Sequence, residues 1–168
     1  GGIPVPGAAG RAVVFATAEK GIGWRRLTVR GTPGHGSMPY GADNALVTAA
    51  EVVRRLTAYE PRPGLSDHWR AWGGHLDVDE TLRAALLDPG RLQDALDRLE
   101  PKMARYAHAC THTTFSPNVV HGGTKMNVIP DTVHLDVDIR TLPGIGGEEV
   151  DAMLAEALGD LASRVTIV

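Results

Sequence analysis

The stretch Gly122 to Gly144, G-G-T-K-M-N-V-I-P-D-T-V-H-L-D-V-D-I-R-T-L-P-G, decides the fold. It reads as two strand ends joined by a turn at Ile129-Pro130-Asp131, followed by a strand of strict alternation. On that strand His134, Asp136, Asp138 and Arg140 point one way, and Val133, Leu135, Val137 and Ile139 the other. Alternation of this kind makes a half-buried strand with one polar face. That face ends in an arginine, and across the turn Asn127 follows a Gly-Gly pair. A guanidinium fork, an amide and approachable backbone together suit recognition of a carboxylate.

Working outward, Gly1 to Gly10 reads as loop, Arg11 to Ala18 as a strand, Glu19-Lys20-Gly21 as a turn and Ile22 to Arg30 as a second strand. After a Gly- and Pro-punctuated loop over Gly31 to Gly41, Asp43 is the expected N-cap of a helix running to about Tyr59. The apolar face of that helix would be Leu46, Ala49, Val52 or Val53, and Leu56. Pro61 to Gly74 reads as a loop with two tryptophans. Val78 to Ala107 reads as helical, with breaks at Pro89-Gly90 and Pro101. Thr111 to His121 is β-rich, and Pro117 near its middle makes it an edge or bulged strand. Beyond the alternating strand, Glu148 to Leu161 is a second amphipathic helix, its buried stripe Val150, Met153, Leu154, Ala157, Leu158 and Leu161. A strand over Arg164 to Val168 follows. Without Pro61 to Cys110, the order from Ile22 is β-α-β-β-α-β. The expected fold is therefore α+β and ferredoxin-like: a four-stranded antiparallel sheet with two helices on one face, plus a helical insertion at about residues 61–110. The other sheet face would be open to solvent, a partner or another domain.

The chain has 168 residues, enough for one domain with a core or for one domain plus an insertion. A net charge of -3 with scattered signs gives no basic stripe, which argues against nucleic acid as a partner. The single cysteine, Cys110, excludes an internal disulfide. The apolar run Ala12 to Ala16 is far too short to span a bilayer. The chain opens Gly-Gly rather than Met and ends in a strand with nothing to close it, so both ends read as cut.

Several constellations invite chemistry and have simpler readings. Gly31 to Ser37 resembles a phosphate loop, but the lysine that should follow Gly36 is absent and Pro33 stiffens the segment. His35 and Ser37 lack a nucleophile elbow, so a serine hydroxyl bonded to loop backbone is the simpler reading. His108, Cys110 and His112 have metal-like spacing but want a fourth ligand, and a buried thiol with two surface imidazoles is the default. Asp136 and Asp138 share a face, but salt bridges to Arg140 or a neighbouring strand explain them better than acid–base work. Trp69 and Trp72 read as packing the insertion.

The loop Gly31-Thr-Pro-Gly-His35-Gly-Ser-Met-Pro39 with Asn44-Ala45, together with G-G-T-K-M-N-V-I-P-D and D-I-R-T-L-P-G, closely resembles a known domain. It is the lid, or dimerisation, domain of the zinc metallopeptidase family of aminoacylases, glutamate carboxypeptidases and succinyl-diaminopimelate desuccinylases. The resemblance covers nearly the whole chain except Pro61 to Cys110. It implies a lid (residues 22–168) inserted into a catalytic domain that lies outside this chain, with residues 1–21 leading in from it. It also implies that the catalytic domain carries two zinc ions and the general base, and that none is bound by this chain. By resemblance, His35 is the lid histidine that reaches the partner subunit's active site and helps hold the oxyanion. Asn127 lines the same pocket and Arg140 holds the substrate's free carboxylate, with Gly122 and Gly123 offering backbone N–H groups nearby. The implied protein is a cytoplasmic homodimeric hydrolase of N-acyl amino acids or of peptides with a free C-terminal carboxylate, and this portion alone is inactive. The alternative is a stand-alone small-carboxylate-binding or oligomerisation module.

Overall fold

The computed structural model describes residues 18–168, so the strand expected over Arg11 to Ala18 lies, but for its last residue, outside the described residues. In chain order the elements are β1 (Gly21–Ile22), β2 (Arg25–Arg30), β3 (Gly34–His35), α1 (Ala45–Ala58), α2 (Asp67–Gly73), α3 (Glu80–Leu86), α4 (Leu92–Asp97) and α5 (Pro101–Thr111). Then come β4 (Thr114–Gly122), β5 (Val128–Ile129), β6 (Thr132–Thr141), α6 (Gly147–Leu158), a 3₁₀ turn (Gly159–Arg164) and β7 (Val165–Ile167). The chain divides into two compact units. One holds Ile22–Glu60, Thr114–Thr141 and Ile145–Val168. The described part of the other holds residues 18–21, Pro61–Thr113 and Leu142–Gly144.

The first unit is organised by β6. Its odd-numbered side chains Val133, Leu135, Val137 and Ile139 are 0–2% exposed, while the even-numbered ones are only half-buried. β2 pairs antiparallel with β6 in a register that sets Leu27 against Leu135 and Val29 against Val133, so both strands present their apolar residues to one face. β4 flanks β6 on the other side, β7 lies beyond β2, and the short β1 also pairs with β6. Both long helices pack on that face. Ala45, Ala49, Val52 and Leu56 of α1 and Val150, Leu154 and Leu158 of α6 join the sheet residues in a single core. Removing one such leucine or valine side chain from water is worth about 1.5–3 kcal/mol.

The architecture is α+β, with antiparallel sheets and six α-helices among the described residues. The main sheet has five strands rather than the expected four. Gly23 and Trp24 break the strand expected over Ile22 to Arg30, and only the Gly23 N–H keeps a ladder bond there, to the Ile139 carbonyl at 2.9 Å. β4 is bulged between Pro117 and Val119, where proline cannot donate to the ladder. The α1 cap is Asn44, whose side chain accepts the Leu46 N–H at 2.9 Å, and not Asp43. The Asp43 carbonyl accepts the Thr32 N–H and its carboxylate pairs with Arg164, so this residue belongs to the loop. The shift also moves the buried stripe to Ala45, Thr48, Ala49, Val52 and Leu56, leaving Leu46 48% exposed. At the far end, α6 stops at Leu158 and the chain tightens into the 3₁₀ turn. Met153, Ala157 and Leu161 are therefore only partly buried.

The second unit has its own core, built from Trp69, Leu76, Leu82, Leu86, Leu92, Leu96, Met103 and Ala107 among others. The segment expected as a loop over Pro61 to Gly74 contains α2, because the Ser66 hydroxyl caps the Trp69 N–H and the Trp69 indole donates to the buried Leu86 carbonyl at 2.8 Å. The helical stretch expected over Val78 to Ala107 is broken at Pro89-Gly90 and before Pro101, as expected, and Pro101 starts the next helix, α5. It occupies the first turn, where no N–H is needed, and Glu100 caps Met103. His112 corrects another expectation, since it is 6% exposed rather than a surface imidazole. Its ring stacks on His108 at 4.2 Å, and its Nδ1–H faces the Thr111 hydroxyl and the His108 carbonyl. Burial first, and then the neighbouring His108, push its pKa down to about 4.

Two outcomes are expected. Leu135→Ala should lower the free energy of unfolding by about 3 kcal/mol, whereas Asp136→Ala, one residue on but on the polar face, should cost much less; urea unfolding of both variants compares them. The folded chain keeps His112 neutral down to about pH 4 while an unfolded histidine protonates near 6.5. Stability should therefore fall as pH drops through that window, by about 2 kcal/mol between pH 7 and 5. Unfolding curves of His112→Gln should be flatter over the same range.

Candidate functional site

Beyond the end of the main sheet the β2–β6 pairing continues as a narrow two-stranded arm. After Arg30 opposite Thr132, the Gly31 N–H donates to the Asp131 carbonyl, Gly34 pairs with Ile129 and His35 with Val128. Last, the Gly36 N–H donates to the Asn127 carbonyl at 2.8 Å. The arm needs four residues from Arg30 to Gly34 against three from Thr132 to Ile129, so one residue bulges out near Pro33. This arm sets the Asn127 backbone beside Gly36, one residue from His35. Gly36 makes the approach possible, because a Cβ there would stand 3.1–3.3 Å from the backbone of Asn127.

His35 is exposed, and its orientation is set locally. The Ser37 backbone N–H, which can only donate, points at His35 Nδ1 at 3.2 Å, and the Ser37 hydroxyl lies 2.8 Å from the same atom. Nδ1 is therefore the acceptor and the neutral ring carries its proton on Nε2. The outward edge of the imidazole is a hydrogen-bond donor. Ser37, read from sequence as bonding loop backbone, instead bonds the ring and so supports His35.

Gly122 and Gly123 end β4 at the same end of the sheet as the arm. Gly122 sits opposite Val133, and a side chain there would collide with Val133 Cγ2 at 2.7 Å, so packing alone accounts for that glycine. Gly123 has φ +76°, a left-handed turn that favours glycine. Exposed apolar side chains crowd this end: Tyr40 and Met126 are fully exposed, and Met38 and Val128 partly so.

Arg140 stands elsewhere. It lies eight residues along β6 from Thr132, roughly 26 Å at about 3.3 Å per residue, so it is remote from His35 and Asn127 within one copy of the chain. Its Nε donates to Asp138 Oδ1 at 2.8 Å, its guanidinium lies 5.9 Å from the centre of the Trp24 ring, and Trp24 Nε1 donates to the same Asp138 oxygen at 2.7 Å. The terminal amino groups of Arg140 have no protein partner among the described residues. Asp136 pairs bidentately with Arg26 at 2.6 and 2.8 Å, and that hydrogen-bonded guanidinium holds its carboxylate below the usual range. The two strand aspartates are thus engaged by neighbouring cations, as expected from sequence. Trp24 is the participant that sequence reading missed. It lies in the break between β1 and β2, more than a hundred residues from Arg140, and no local spacing signals the contact.

Among the described residues no group of three or more His, Cys, Asp and Glu is placed to hold a metal ion. Cys110 is a free thiol, and burial raises its pKa. No helix among the described residues is long and apolar enough to cross a membrane.

Acetylornithine deacetylase from Erwinia tasmaniensis is 31% identical over 46% of this chain and 24% of its own length. The enzyme of that name from Klebsiella pneumoniae is also 31% identical, over 45% of this chain and 20% of its own length. The matches therefore span about a quarter or less of those relatives. Among solved structures, an M20 family metallo-carboxypeptidase from Sulfolobus solfataricus shares the fold with a TM-score of 0.57 at 18% identity, covering 89% of this chain and 37% of that one. Human carnosine dipeptidase 1 does so with a TM-score of 0.54 at 16% identity, over 89% and 35%. The family model described as the peptidase dimerisation domain matches residues 17–166, and the chain belongs to that family.

Proposed function

We propose that this chain is the lid and dimerisation portion of a longer, metal-dependent amidohydrolase. Its substrates would be N-acyl amino acids or peptides with a free C-terminal carboxylate. In this reading residues 22–168 form the lid, with Pro61 to Cys110 inserted, and residues 1–21 lead in from a catalytic domain. That domain would hold two zinc ions and the general base. Among the described residues no donor set for a metal is present. A cytoplasmic location belongs to the same reading.

The observation that carries the proposal is an outward Nε2–H donor on His35 in the arm at one end of the sheet, and at the other a guanidinium whose terminal groups have no partner among the described residues. A neutral imidazole fixed by Ser37 can donate to the oxygen on which negative charge develops as an amide is attacked. It gains most in the transition state, when that oxygen is fully anionic. Asn127 follows in the ladder, its carbonyl accepting the Gly36 N–H, and in this reading its amide lines the same pocket. Arg140 can take a carboxylate through its terminal amino groups as a bidentate pair. Both cannot reach one small substrate from the same copy, given the length of β6 between them. The reading therefore requires a homodimer in which His35 and Asn127 of one subunit complete a site served by the other subunit's own residues. β4 supports that partner. Val119 and Val120 of β4 are exposed, and so are Leu46 and Val47 of neighbouring α1.

In the complete enzyme, His35→Ala is expected to lower kcat by about 100-fold with little change in folding stability, and Ser37→Ala to lower it by less. An unchanged rate for His35→Ala removes the oxyanion role. Arg140→Lys should chiefly raise KM, since a point charge replaces the fork. Steady-state kinetics with one N-acyl amino acid separates the two effects.

A further inference from the structure

Taking Arg140 as the carboxylate-binding group, we infer that Asp138 and Trp24 are positioning residues that hold its guanidinium in the binding pose before substrate arrives. An arginine side chain has four rotatable bonds, and on a strand with an open face it samples many directions. Here it is fixed at its inner edge. Asp138, two residues back on the same strand face, accepts from Nε at 2.8 Å and leaves both terminal amino groups unpartnered among the described residues. That division of the fork suits a ligand with two oxygens, because the outer pair of N–H groups is the edge that matches a carboxylate.

Asp138 is itself fixed from another strand end. Trp24 Nε1 donates to the same Oδ1 at 2.7 Å, and the indole ring lies 5.9 Å from the Arg140 guanidinium carbon, within cation–π range. Trp24 is 62% exposed, so burial does not explain a tryptophan at this position. Its backbone follows Gly23, whose N–H is tied to the Ile139 carbonyl, so the indole is carried by a segment anchored to β6 one residue from Arg140. Trp24 and Asp138 line an open cleft on the polar sheet face with Asn118, Val119 and Val168, and the Arg140 side chain is itself 40% exposed. A tie serving stability alone would need neither the exposed ring nor the free outer edge of the fork.

The test uses the complete enzyme and two substrates, an N-acyl amino acid and the same compound with its carboxylate converted to an amide. Arg140→Ala comes first. If it leaves KM for the acid unchanged, the carboxylate role fails and the inference falls with it. If KM rises, Asp138→Ala is expected to raise KM for the acid about ten-fold and Trp24→Phe about three-fold, with kcat held within about two-fold. Asp138→Asn, which keeps the accepting oxygen, should restore most of the loss. None of these variants should change KM for the amide. An unchanged KM for the acid in Asp138→Ala overturns the inference, as does a rise of equal size with the amide, which marks a structural role. Should Asp138→Ala fail to fold, Trp24→Phe decides by the same two criteria.

Discussion

The antiparallel pairing of Arg25–Arg30 with Thr132–Val137 is the contact on which the rest of the domain depends. It places Leu27 and Val29 on the same face as Val133, Leu135 and Val137, which gives α1 and α6 a continuous apolar surface to cover. A slip of one residue would turn each of those side chains to the open face, so the hydrophobic core specifies the register strongly. The same pairing, carried past the end of the sheet, becomes the arm that joins His35 to Asn127. Core packing and site geometry are therefore set by one ladder.

Polar groups divide into those that tie the fold and those that present an open hydrogen-bonding edge. Arg55 binds Glu51, Asp160 and the end of α6, and Glu51, shared by Arg54 and Arg55, has its pKa lowered to about 2. These groups lie at the surface and are screened by water, so their contribution to stability is small. By contrast, the outer edges of His35 and Arg140 have no such partners among the described residues. The distinction comes from geometry, since both kinds are exposed and neither composition nor charge separates them.

Much of this was legible in the residues. The alternation of Thr132–Thr141 fixed which side chains are buried, Pro117 marked the bulged strand, and the periodic apolar residues of Ala45–Ala58 and Gly147–Leu158 announced two helices. The less legible parts involve long-range choices. Asp43 and Asn44 are both good caps, and only the bond from Thr32 to the Asp43 carbonyl decides between them. α2 depends on the reach of Trp69 to the Leu86 carbonyl, seventeen residues away. His35 and Asn127 stood out as types, but their meeting depends on a ladder across more than ninety residues of chain, and the Trp24 contact with Asp138 is of the same kind.

β6 joins the two ends of the lid without interruption, and this makes it a ruler. The distance between the imidazole end and the guanidinium end is set by a count of residues in one extended strand, not by loops that can flex or lengthen. Removing two residues would keep the alternation and the core faces intact yet shorten the span by roughly 7 Å. Such a change would leave a well-folded domain whose two ends no longer match the spacing of whatever they grip. Length variation among lids of this type should therefore be tolerated in the segments between strands and resisted within β6.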